Sequence, residues 1–251
     1  MSDNAPHQIE LRSFPDRETL GAAAARDIGD ALVRRLAEQA AVRMIFASAP
    51  SQEATLRQLA ARPDIDWSRV TAFHMDEYLG LAPEAPQRFG TWLQTVLLDR
   101  VPVGTVHLID PGADPQATVD EYSALLAAAP IDILCLGIGV NGHLAFNDPP
   151  ADLADPALVK VVTLDEVSRV QQVDDGCFAT LHDVPRRAIT LTVPALLSAA
   201  EAFCMVPGAQ KKHAVTRALH GPIDGSLPAS ALRTHPRCTL YVDKESAPDA
   251  R

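Results

Sequence analysis

Short apolar runs alternate with longer amphipathic stretches along most of this chain. Residues 18–39, ETLGAAAARDIGDALVRRLAEQ, gather alanine and leucine at helical spacing opposite a polar face and predict a long helix. VRMIFASA (42–49) is an apolar run that stops at serine and proline, and it reads as a buried strand. Ser51 is placed to cap a helix through 52–62. VTAFHMDEYLGL (70–81) begins as a strand and turns acidic at its end. A helix over 91–101, a short strand over 105–109 and a helix over 116–129 follow. IDILCLGIG (131–139) carries no charge after Asp132 and is the clearest buried strand. Residues 187–199 and 201–208 read as further strand and strand-to-helix units, 209–221 as a helix and 238–243 as a last strand.

Strands alternating with helices predict an α/β fold with a mainly parallel sheet and helices on both faces. A chain of 251 residues is long enough to bury a full core. No repeat or low-complexity linker divides it, so the reading is a single domain over 1–251. In such sheets ligands bind beyond the carboxyl ends of the strands, near a switch in strand order. Three strand ends carry polar groups suited to chemistry: ASAPSQ, HMDEY and GIGVNGH.

A formal net charge of −10 argues against a nucleic-acid or membrane partner, because both attract basic surfaces. It leaves room for a small anion, which one or two local cations suffice to hold. Cys135, Cys177, Cys204 and Cys238 lie far apart, with no metal-type spacing, and read as reduced thiols. The first twenty residues lack a basic-then-apolar signal pattern, and no apolar run is long enough to span a bilayer. The expected location is the cytoplasm.

Each strand end supports two readings. Asp76 and Glu77 follow an apolar strand, where a carboxylate reaching into a cleft loses solvation and becomes a better base; a helix cap is the alternative. In GIGVNGH, Gly137 and Gly139 allow a tight turn or close approach to a ligand. GxGxxG is matched formally from Gly137 to Gly142, but no suitable helix visibly follows, so it is not a dinucleotide fingerprint. His143 belongs to the residue type that moves protons near neutrality, and Asn141 and Asp148 are close enough in sequence to orient it; a histidine satisfied by turn backbone is the alternative. Lys211 and Lys212, at the start of a helix, are candidate phosphate ligands, with solvated surface lysines as the alternative; Arg169 and the glutamines of SRVQQVDDG form a similar group.

In order, FHMDEYLGL (73–81), GIGVNGHLAFNDPP (137–150), ITLTVPALLSA (189–199) and PGAQKKHAV (207–215) resemble the glucosamine-6-phosphate deaminase/isomerase family. Its superfamily also contains 6-phosphogluconolactonases. The resemblance spans nearly the whole chain and implies a Rossmann-like sheet and an aldose–ketose isomerisation coupled to loss of ammonia. By that analogy Asp76 takes the C2 proton and returns it at C1, and His143 assists ring opening. Asp148 and Asn141 would tune and orient His143. Lys211, with Ser48, Ser51, Gln52, Glu77, Gly139 and Arg169, would contact the sugar phosphate. No metal or organic cofactor is implied.

Three positions depart from the family pattern. Asn141 stands where the well-known deaminases carry an aspartate, and an amide orients a ring without adding charge. Asp148 replaces a glutamate and is one methylene shorter, and ASAPSQ replaces a Gly-Gly-Thr type phosphate loop. The resemblance leaves open isomerisation without deamination, lactone hydrolysis and a non-catalytic sugar-phosphate-sensing domain. Tyr78 and NGHLAFNDPP favour the deaminase side over the lactonases. The α/β pattern begins within about 20 residues of the start, with no basic DNA-binding module before it. Family members occur as monomers and as hexamers, so a homo-oligomer is possible.

Overall fold

A computed structural model of the chain describes residues 7–249. Met1–Pro6, part of the stretch read for a targeting signal, lie outside the described residues. Seven parallel strands form the main sheet in the order β1 (Glu10–Phe14), β10 (Cys238–Asp243), β9 (Glu201–Val206), β6 (Ile133–Leu136), β2 (Val42–Phe46), β3 (Val70–His74) and β5 (Thr105–His107).

Alternation along the strands builds the two faces. Ile45, Phe73, Leu134, Leu136 and Cys204 enter one apolar cluster, while Met44, Phe46, Ile133, Cys135 and Met205 enter the other. Helices α1 (Arg17–Glu38), α2 (Glu53–Ala60) and α3 (Phe89–Val96) cover the second face. α4 (Pro115–Ala127), α6 (Val193–Leu197) and α7 (Lys212–His220) cover the first. Burial on both faces explains why the central strands read as unbroken apolar runs. None of the described helices is long and apolar enough to cross a membrane.

The expected α/β architecture with a mainly parallel sheet is therefore present, with four differences. First, β1 has no counterpart among the expected elements. It is an edge strand whose ELRSF is largely exposed, so it lacks the apolar signal of its central neighbours. Second, the run expected as one unit over 70–81 breaks at Met75. β4 (Asp76–Tyr78) leaves the main sheet and pairs antiparallel with β8 (Arg187–Leu191), which pairs in turn with β7 (Val159–Thr163).

Third, α5 (Glu166–Asp174) forms where only scattered polar candidates were noted; Asp165 caps it by accepting from Val167 N at 2.7 Å. Fourth, Ser51 does not cap α2. A turn of 3-10 helix (Pro50–Gln52) precedes that helix, no side chain caps it, and Ser51 Oγ accepts from Gln52 Nε2 instead.

The chain starts at one edge of the sheet, reaches its middle at β2, runs outward to β5, then returns to β6 on the other side of β2. β2 and β6 are thus neighbours whose connections diverge, and the crevice beyond their carboxyl ends is the topological switch point.

Candidate active site

The cleft lies at that switch point and encloses about 510 Å³, open solvent included. Ser48 and Gln52 follow β2, Asp76 opens β4, Gly137 to Ala145 follow β6, and Lys211 follows β9. Gly137 sits close where the loops meet: a Cβ there would lie 2.9 Å from Gln52 Nε2 and 3.3 Å from Met205 O, so the Gln52 amide would have to move. The loop after β6 closes on itself, with Gly139 N donating to His143 O at 3.0 Å and Gly142 N to Gly139 O at 3.0 Å. The His143 ring lies directly over Gly139, where a Cβ would fall 2.2 Å from the imidazole.

Helix α5 holds this loop from outside. Val140 N donates to Gln171 Oε1 (2.9 Å), Asp165 N donates to Asp148 Oδ2 (2.9 Å), and Ser168 Oγ lies 2.8 Å from His143 Nδ1. Ser168 also donates a short hydrogen bond to Asp148 Oδ1, which stands 3.3 Å from His143 Nδ1. Asn141 bridges loop and carboxylate: its Oδ1 accepts from His143 N (3.0 Å) and its Nδ2 donates to Asp148 Oδ1 (3.2 Å). Burial alone raises the Asp148 carboxyl. The bonds from His143, Ser168 and Asp165 N more than offset that and bring it down to about 2, so it is ionised at neutral pH.

Asp76 is only 6% exposed, and its carboxylate accepts no hydrogen bond among the described residues. Burial, followed by the neighbouring charge of Glu77, pushes it well above the usual carboxylate range. A carboxylate so disposed is a strong base once ionised. Across the cleft Lys211 is 4% exposed, and its ammonium pairs with no acid among the described residues. Burial lowers it to about 8 against the opposing pull of Asp175. Ser48 Oγ and Gln52 Oε1 are buried without a partner among the described residues. An unpaired ammonium and two unsatisfied polar atoms around one space suit an anion carrying hydroxyl groups.

Of the expected site residues, Asp76, His143, Gly139, Ser48, Ser51, Gln52 and Lys211 line this cleft, and Asn141 and Asp148 stand behind His143. Two go elsewhere. Glu77 is fully buried and accepts from Phe89 N (3.1 Å) and Gly90 N (3.0 Å) at the start of α3, so it does not reach the ligand space. This is the capping alternative, made across sequence. Arg169 Nη2 donates to Leu181 O (2.6 Å) and Val184 O (2.9 Å), tying down the following loop instead of facing the cleft.

The reason is helical phase. On α5 the residues Ser168, Gln171 and Gln172 share a buried face at i, i+3 and i+4, and Arg169 is rotated off it. The glutamines of SRVQQVDDG therefore line the cleft while the arginine does not. Ser168, Phe89, Ala145 and Phe146 were not anticipated. Reading 166–174 as a helix is the signal that finds Ser168. Among the described residues no group of three or more His, Cys, Asp or Glu side chains is placed to hold a metal ion.

Residues 15–241 match the family described as glucosamine-6-phosphate isomerases/6-phosphogluconolactonase. A glucosamine-6-phosphate deaminase from Arthrobacter sp. (strain FB24) is 33% identical over 250 residues, covering 97% of this chain and 93% of the relative. One from Rhodopirellula baltica is 32% identical over 252 residues, covering 95% of each. A solved monomeric glucosamine-6-phosphate deaminase superposes with a TM-score of 0.85 at 27% identity, covering 95% of this chain and 98% of that one. The 6-phosphogluconolactonase of Thermotoga maritima shares the fold, with a TM-score of 0.76 at 20% identity over 94% of this chain and all of that one. With a match that takes in all but the two ends, the chain belongs to the glucosamine-6-phosphate isomerase/6-phosphogluconolactonase family.

Proposed function

We propose that the protein is a deaminating aldose–ketose isomerase that converts glucosamine 6-phosphate, or a close amino-sugar phosphate, to the ketose phosphate and ammonia. The observation that carries this reading is one cleft lined by an unpaired buried carboxylate, an oriented imidazole and an unpaired buried ammonium. The curated relatives, which are deaminases, support it.

Lys211 and Ser48 hold the phosphate at the switch point, and Gln52 Oε1 accepts from a sugar hydroxyl. His143 Nε2 moves a proton between the ring oxygen and O1, opening the sugar to its aldehyde form. Asp76 takes the proton from C2, and the electron pair moves through C1 onto O1 to give an enolate. Return of that proton at C1, with the nitrogen lone pair forming C2=N and one nitrogen proton passing to O1, leaves an imine at C2. Water adds there and ammonia departs, so the sum is amino-sugar phosphate plus water giving ketose phosphate plus ammonia. Reduced thiols fit a cytoplasmic setting, which is part of the proposal.

Purified protein supplied with glucosamine 6-phosphate should release ammonia and fructose 6-phosphate in equal amounts. Ketose formed from neutral-sugar phosphates without ammonia would instead mark an isomerase. Failure to form either product from a panel of amino- and neutral-sugar phosphates would end the proposal.

A further inference from the structure

We propose that Ser168 is a positioning residue that couples His143 to Asp148 and sets which imidazole nitrogen faces the cleft. The hydroxyl is fully buried on α5, and its Oγ lies between His143 Nδ1 at 2.8 Å and Asp148 Oδ1. The direct separation of Nδ1 from Asp148 Oδ1 is longer, at 3.3 Å, so the hydroxyl is the nearer partner of the ring.

Hydrogen counting gives the direction of each bond. Asp148 is ionised and can only accept. It takes a hydrogen from Asn141 Nδ2 and one from Asp165 N, and the short contact with Ser168 requires the hydroxyl hydrogen as well. A hydroxyl owns one hydrogen. With that hydrogen committed to Asp148, Ser168 Oγ can only accept from His143, so Nδ1 carries the proton. In the neutral ring Nε2 is then the lone-pair nitrogen. The Nδ1 edge faces Ser168 and the ring rests over Gly139, while His143 lines the cleft.

Ser168 thus does the orienting work that the neutral Asn141 cannot do by charge. Asn141 bonds to the His143 backbone and the Asp148 carboxylate, its Nδ2 also donates to Ser168 Oγ at 3.4 Å, and it makes no hydrogen bond to the ring.

The activity readout rests on the proposed deaminase reaction, whereas the spectroscopic readout needs no substrate. Nitrogen NMR on histidine-labelled protein should show neutral His143 with its proton on Nδ1. Ser168→Ala should redistribute that proton between the two nitrogens. Ser168→Thr, which keeps the hydroxyl on the same carbon, should restore the wild-type pattern. In the ammonia assay Ser168→Ala should lower kcat by on the order of tenfold or more with KM little changed, and Ser168→Thr should recover most of it. A wild-type ring protonated on Nε2, or Ser168→Ala retaining the wild-type tautomer and kcat, would overturn the assignment. If no variant and no wild type turns over substrate, the NMR pattern alone decides about Ser168, and the deaminase reading fails separately. Should Ser168→Ala fail to fold, Ser168→Cys replaces it in both measurements, with the same loss expected because a thiol is a weak donor.

Discussion

The imidazole of His143 lies so close over Gly139 that a Cβ at 139 would fall 2.2 Å from its ring atoms. The glycine is thus a seat for the ring, and no other residue type fits beneath it without moving the histidine. Gly139→Ala should displace His143 by roughly an ångström and lower kcat on the order of a hundredfold. Circular dichroism should show an intact fold, since the contact lies in a loop. Near-normal turnover in Gly139→Ala would show that the ring is not held where the chemistry needs it.

Asp76 illustrates a conflict between activity and stability. Its carboxyl is buried without a hydrogen-bond partner among the described residues, and folding raises its pKa. The unfolded chain therefore ionises it more easily, and stability falls as pH rises through the ordinary carboxylate range towards the raised value. Asp76→Asn should abolish turnover and raise Tm at pH 8, with each kcal/mol gained worth about 2–4 °C for a chain of this size. At pH 4, where the wild-type group stays protonated, the two proteins should melt closer together. A variant that loses activity and is also destabilised at pH 8 contradicts the account.

Lys211 is expected to set the alkaline limit of the proposed reaction. Burial lowers its ammonium to about 8, so the charge that attracts an anion is present below that pH and is lost above it. KM for a sugar phosphate should rise as pH passes 8, with kcat affected less. Lys211→Met should remove the dependence and raise KM by about ten- to hundredfold, the worth of a hydrogen bond to a charged group at about 1.5–3 kcal/mol. Unchanged KM in Lys211→Met would move the anion elsewhere.

Arg169 makes the contrasting case. Its guanidinium serves the carbonyls of Leu181 and Val184. Arg169→Ala strands both acceptors and should cost about 1–3 kcal/mol for each that water does not reach. A thermal melt should register that loss while KM for the sugar phosphate stays unchanged. A large rise in KM with an unaltered melt would restore Arg169 to the binding site.

Much of this was legible in the chain because the relevant signals are local. β2 and β6 are buried on both faces, so their apolar runs are unbroken and their ends locate the switch point. Gly139 and His143 lie four positions apart, close enough for a motif to carry both. β1 and β4 were not legible. The first is a polar edge strand, and the second is three residues long, too short to show a period. Their pairing depends on strands far away in sequence, Cys238–Asp243 and Arg187–Leu191.

The α/β class, the order of the central strands' apolar segments, and the residue types of the cleft, Asp76, His143 and Lys211, can be read from the chain alone. Those follow from hydrophobic period and from motifs confined to short stretches. Which neighbours of these residues face the cleft depends on how the folded elements pack. Glu77, adjacent to Asp76, turns to the backbone of α3, and Arg169, adjacent to Ser168, turns to a loop. Adjacent side chains leave a strand on opposite faces and a helix about a hundred degrees apart, so proximity in sequence does not choose a direction. Ser168 meets His143 from 25 positions away because α5 packs its buried face against the loop after β6, and that packing is a property of the folded chain.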